Sequence, residues 1–183
     1  MLIRSLLFTL SLLLAQAAQA LTADEARGIA IGETEARIEA PSPTTTTADH
    51  KTAPFLQALS EDAVKFAGDK VFVMRDDKGF DPVTGAPLDV PADAEDVINN
   101  NMMRGEIEAA QAGLKLFSKD EKLRREGIKV LQGESDESRL PMIEKALAAE
   151  TNPQLKEQPG LIRSAVLLNS SDKAKRLAAA AAL

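Results

Sequence analysis

A chain of 183 residues with 28 acidic and 22 basic side chains, a net charge of −6 and a pI near 5.0 is a poor candidate for neutralising nucleic-acid phosphates. The absence of cysteine excludes disulfides and thiolate chemistry, and the absence of tryptophan and tyrosine speaks against sugar-stacking platforms or aromatic cages. Leu, Ile, Val and Ala are left to build the core, a composition that suits helix on helix.

In chain order, Met1 to Ala20 reads as a cleavable export signal. Arg4 supplies the positive start, Leu6 to Leu14 a short apolar core, and Ala18-Gln19-Ala20 the small-x-small cleavage rule. The apolar run falls short of the roughly 20 residues that span a bilayer, so the expected mature chain begins at Leu21. Thr22-Ala23-Asp24-Glu25 is a capping box and predicts a helix over about Asp24 to Glu39. Pro41-Ser42-Pro43 and Thr44 to Thr47 then predict a polar linker. From about Lys51, Leu56, Leu59, Ala63 and Phe66 recur at helical spacing and predict one helix ending near Gly68.

The rhythm then changes. Val71 to Met74 is strand-like, and Asp76-Asp77-Lys78-Gly79 before Phe80 predicts a hairpin turn, giving a small β-hairpin insertion near residues 70–90. Asp76, Asp77 and Asp81 lack the spacing of a calcium loop and read as an ordinary acidic turn. Beyond Pro91, Met103, Ile107, Ala110, Leu114 and Phe117 form a core-facing helical stripe. Ser118 to Glu121 and Thr151 to Gln154 read as further capping boxes, Ser138 as a cap before Pro141, and Ser170-Ser171-Asp172 as the start of the last helix. Leu123, Gly127 and Leu131, then Leu140, Ile143 and Leu147, are the expected buried faces. Gln158-Pro159-Gly160 predicts a break or kink.

The polar pairs Lys119-Asp120, Ser135-Asp136, Thr151-Asn152 and Ser171-Asp172 stand 16, 16 and 20 residues apart. Two helices per unit approach a HEAT-like period, so residues 21–183 are expected to form a mainly α, short HEAT-like α-solenoid of antiparallel helix pairs. An ordinary amphipathic bundle is the competing architecture. The Ala-rich last helix has no stop signal before Leu183, and the expectation is a domain truncated at that end.

Catalysis has little to stand on. His50 is the one histidine and sits in a polar run, and the sequence has no nucleophile elbow, phosphate loop or zinc-helix motif. Glu106 and Glu108 are expected on a solvated helix face. No catalytic, cofactor-binding or metal residue is assigned, and no enzyme is expected. Asn99, Asn100, Asn101 and Arg104 are donor-rich residues at a helix start; they are the first candidates for a partner contact, with capping and support of the hairpin as the favoured reading.

The stretch Lys70 to Leu183 resembles a known family. Asp81-Pro82-Val83-Thr84-Gly85, Val97-Ile98-Asn99-Asn100-Asn101-Met102-Met103-Arg104-Gly105 and Ala148-Ala149-Glu150-Thr151-Asn152-Pro153 carry a resemblance to the N-terminal extracytoplasmic region of a urea ABC transporter permease of the branched-chain amino-acid permease type. The resemblance implies a place on the periplasmic side of the bacterial inner membrane, with the permease subunits and a periplasmic solute-binding protein as partners. The family's membrane spans are missing, so the chain is expected to act as a structural or docking module and not to conduct. The alternative is a free-standing periplasmic helical-repeat adaptor. A soluble urea receptor fits less well, since such receptors are usually larger two-lobed α/β proteins.

Overall fold

A computed structural model describes residues 21–40 and 52–181. The expected export signal Met1–Ala20, the expected linker Pro41–Thr47, His50 and Leu183 lie outside the described residues.

The described chain is mainly helical, with a small five-stranded antiparallel sheet inserted between the third and fourth helices. Helix α1 (Ala23–Ala30) opens with the expected capping box: Thr22 Oγ1 accepts from the Glu25 amide while the Glu25 carboxylate accepts from the Thr22 amide at 2.8 Å. The single helix expected over Asp24–Glu39 is two. Gly32 takes φ +115°, where only glycine is at ease, and the chain turns before α2 (Thr34–Glu39).

Helix α3 (Thr52–Ser60) is shorter than its apolar spacing predicts. Asp62, at φ +54°, ends it in a Schellman motif: the Ala63 amide donates to the Ala58 carbonyl and the Asp62 amide to the Leu59 carbonyl. Ala63 and Phe66 therefore leave the helix; Val64–Ala67 is strand β1, and its four residues satisfy a helical and a strand period alike.

Strands β2 (Lys70–Arg75) and β3 (Lys78–Phe80) form the expected hairpin, with Asp76 and Asp77 both at positive φ in its turn. The hairpin is the middle of a larger sheet. Short strands β4 (Pro87–Leu88) and β5 (Glu95–Asp96) flank it in the order β4-β3-β2-β1-β5. Alternation along β2 sends Val71 and Val73 into the core shared with the helices and Phe72 to the opposite face. There Val90 closes over Gly79: a Cβ at Gly79 would stand 2.2 Å from the Val90 methyl, so the glycine is required by the close approach.

Helices α4 (Asn101–Lys115), α5 (Glu121–Leu131), α6 (Leu140–Ala149), α7 (Pro153–Leu168) and α8 (Lys173–Ala180) complete the fold, with a 3₁₀ turn (Glu137–Arg139) leading into α6. Two apolar cores result, and α4 serves both. Met103, Ile107 and Ala110 face the core beneath the sheet, whereas Ala112 and Leu116 belong to the core of α5–α8. Helix α5 packs closely on α4 because Gly127 offers no side chain; a Cβ there would sit 2.6 Å from the Ala112 carbonyl oxygen. Leu123, expected inward, is partly exposed, and Ile128 takes its place in the core. On α6, Met142 and Ala146 join Leu140 and Ile143 as the buried residues, while Leu147 is only half-buried.

Of the break or kink expected at Gln158-Pro159-Gly160, the break does not occur. Helix α7 runs unbroken through Pro159, which is itself buried, so the ring's packing offsets the lost hydrogen bond. Among the described residues no helix is long and apolar enough to cross a membrane.

Candidate functional site

The Asn-rich start of α4 is a junction. Asn100 is the N-cap, its Oδ1 accepting from the Met103 amide at 2.9 Å, and its Nδ2 donates to Thr34 Oγ1 at 3.0 Å. Asn99 is buried: its Nδ2 donates to the Leu59 carbonyl at 2.9 Å and its Oδ1 accepts from Arg37 Nη2 at 2.6 Å. Arg37, 5% exposed, also donates from Nε to the Ile29 carbonyl at 2.8 Å and from Nη1 to the Ile98 carbonyl at 2.9 Å. Burial pulls its pKa below the ordinary arginine value, with carbonyl dipoles in place of a carboxylate around it. Arg104 reaches back to Asp62 with both carboxylate oxygens in range, at 3.0 and 2.8 Å. That hydrogen bond is the main reason the Asp62 carboxyl lies below its usual range.

Of the four residues first considered for a partner contact, three are thus spent inside the molecule. Asn99 and Asn100 tie α1–α3 to α4, and Arg104 clamps the turn that ends α3. Asn101, on the first turn of α4, is exposed. Next to it Ile98 is 80% exposed and Met102 57%. Glu108 is solvated as expected, but Glu106 is half-buried and pairs with Arg139 of the 3₁₀ turn, which links α4 to α6.

A second polar system was only half legible in the sequence. The caps at the starts of α5, of the 3₁₀ turn that leads into α6, of α7 and of α8 fall on Asp120, Asp136, Asn152 and Asp172, each accepting from the amide two residues on. The serines and the threonine ahead of them are not the caps. Ser118 and Ser170 instead accept from the Asp120 and Asp172 amides, whereas Glu134 and Glu150 each accept from the next two amides. Behind the α5 start, Arg124 donates from Nη1 to the Ser118 and Lys119 carbonyls. Its remaining edge grips Glu150 at the start of α7, with Nε to Oε2 at 2.8 Å and Nη2 to Oε1 at 3.3 Å.

Glu150 is nearly buried, and the arginine is the first cause of its lowered pKa; the carboxylate in turn raises that of Arg124. In the same way, Glu137 before α6 accepts from Ser170 Oγ at 2.9 Å and pairs with Lys175 at the start of α8. The Arg four residues after the cap was the available signal: Ser118-x-Asp120-x-x-x-Arg124 recurs as Ser170-x-Asp172-x-x-x-Arg176.

The surface hollows are modest. One of about 150 Å³ lies between Phe55, Val73 and the Asp81–Gly85 turn, and one of about 500 Å³ lies along the β3–β4 edge beside Asp77 and Lys78. The Asp81 carboxylate accepts from the Val83 and Thr84 amides of its own turn, which gives the acidic stretch a structural task. Among the described residues no group of three or more His, Cys, Asp or Glu side chains is gathered as a metal cluster would require. Large side chains do remain in water at the end of the helical stack: Leu161 is 58%, Leu168 37% and Leu177 62% exposed.

Compared with protein-family models, curated proteins and solved structures, the chain matches none.

Proposed function

We propose that this chain is an extracytoplasmic docking module of HEAT-like character, the domain that precedes the membrane part of an ABC importer permease for urea or a related small amide. The observation that carries the docking half is the layered join between alternate helices. Arg124 at the start of α5 holds Glu150 at the start of α7, and Glu137 before α6 holds Ser170 and Lys175 at the start of α8. Joins between the start loops of alternate helices support the reading of a stacked α-solenoid, an architecture whose extended faces serve protein contacts. The sheet then closes the N-terminal side of the stack, with α4 as its common spine.

The transport half rests on the sequence resemblance of Lys70–Leu183. On this reading the module neither conducts nor binds urea; it braces the permease subunits or receives the solute-binding protein. The test is to express the chain from its own locus with an epitope tag, fractionate the cells and identify cross-linked partners by mass spectrometry. Recovery in the inner membrane with permease and ATPase subunits supports the proposal. Recovery only as a free periplasmic protein favours the adaptor reading, and saturable heat on titration with urea would reopen a receptor role.

A further inference from the structure

We infer that the α7–α8 end of the molecule is a docking face for an amphipathic helix of a partner protein that opens on a glutamate, with Arg176 as the residue that receives the carboxylate. The inference deepens the docking-module reading and rests on it, but not on the transporter assignment.

The argument is an internal template. Two helix-start loops of this chain share one set of bonds, to which the second adds the donation from Ser170 Oγ to Glu137. Ser118 and Ser170 accept from the Asp120 and Asp172 amides at 3.1 and 3.2 Å. Asp120 and Asp172 accept from the Lys122 and Ala174 amides, both at 2.8 Å. Arg124 Nη1 spans the Ser118 and Lys119 carbonyls at 3.1 and 3.2 Å, and Arg176 Nη1 spans the Ser170 and Ser171 carbonyls at 2.7 and 2.9 Å. Nη1 of the guanidinium is thereby held by the equivalent pair of carbonyls in each loop, and the edge of Nε and Nη2 is left for other partners.

In the first loop that edge is filled. Glu150 enters it, and α7, which Glu150 introduces, packs against α5. In the second loop no described carboxylate pairs with Arg176. Its Nε and Nη2 are not among the buried polar atoms without partners, so solvent, or an incoming group, can reach them. A held guanidinium edge is pre-organised for a bidentate carboxylate and loses little entropy on receiving one.

Apolar surface accompanies the charge. Leu161 and Leu168, two turns apart on α7, and Leu177, next to Arg176 on α8, are the exposed leucines that an amphipathic helix would cover. Charge complementarity and the Arg124–Glu150 precedent together specify the occupant: a helix beginning Glu-Ser/Thr-Asp/Asn with apolar residues behind it. A second copy of this chain is a poor source, since its Glu150 is held by Arg124 and its Glu134 by its own loop amides.

The experiment uses the whole isotope-labelled chain and a synthetic peptide of its own residues 150–168, which opens on Glu150 and serves as the probe helix. The arginine Nε–H and backbone amide resonances are followed during titration. The expected result is saturable shifts at Arg176 Nε–H and at the amides around Leu161 and Leu177. Affinity should weaken roughly tenfold or more when the peptide carries Glu150→Gln, the loss expected for one charge-assisted hydrogen-bonded pair. Arg176→Gln in the chain should weaken it alike, and Leu161→Glu, which leaves the loop bonds untouched, should weaken it too. Equal binding of the Gln peptide, no shift at all, or shifts centred on Arg124 because the peptide displaces the resident α7 would each overturn the inference.

Discussion

Arg37 donates a 2.6 Å hydrogen bond to Asn99 Oδ1 while the amide nitrogen of the same asparagine donates to the Leu59 carbonyl, so one buried side chain joins α2, the end of α3 and the approach to α4. Replacing Asn99 by Ala leaves the buried Arg37 Nη2 without its partner and takes one of two hydrogen bonds from the Leu59 carbonyl, which keeps the Asp62 amide. The expected cost is about 1–3 kcal/mol, the usual penalty for an orphaned buried polar group, read as a lower midpoint in chemical or thermal unfolding followed by circular dichroism. An unchanged midpoint would mean that water fills the place of the amide.

Gly127→Ala reports the α4–α5 approach. Alanine is the better helix former by roughly 1 kcal/mol. Its Cβ would nevertheless meet the Ala112 carbonyl oxygen at 2.6 Å and the Lys115 Cβ at 3.0 Å. Backbone cannot swing aside as a side chain can, so overpacking should win, with a net loss of about 1–3 kcal/mol in equilibrium unfolding. Gly113→Ala offers the contrast. Its obstacle at 2.4 Å is the flexible Met142 Sδ, so it should be the milder of the two.

Arg104→Glu sets a second carboxylate against Asp62, where Arg104 Nη2 had held both carboxylate oxygens. The expected outcome is a lower melting temperature, with the loss smaller in high salt because both side chains are about half exposed. A variant that melts like the parent would return Arg104 to the pool of residues free for a partner.

The carboxylates fix the pH response. Asp62, Asp136, Glu137 and Glu150 all lie below their ordinary values, chiefly through hydrogen bonds from Arg104, Ser138, Lys175 and Arg124 respectively. A carboxyl depressed in the folded state contributes stability above its unfolded pKa of about 4 and loses it as pH falls through the folded value. The melting temperature should therefore stay level from neutral to mildly acid pH and drop below about pH 4. Glu150→Gln should lower the neutral plateau and flatten that drop; an equally steep drop would assign the acid response to the other depressed carboxylates, among them Glu121, which Arg125 holds below its ordinary value.

The apolar period revealed the helical half because long amphipathic helices carry many repeats of it: Met103, Ile107 and Ala110 are buried as their spacing requires. It failed at Ala63 and Phe66, where four residues are too few to separate a period of 3.6 from one of 2, and tertiary pairing with β2 decided for strand. It also missed β4 and β5, two-residue strands without a pattern of their own. The polar starts of the helices were visible as Ser/Asp punctuation. Their partners were not, since Arg124 meets Glu150 across 26 residues and Arg37 meets Asn99 across 62, separations that no local window contains.

The measurement that bears most directly on the account is the reading frame past the codon for Leu183. The account predicts that it continues into several apolar stretches of about 20 residues each, enough to span the bilayer repeatedly. A stop codon in a clean read would contradict the permease assignment.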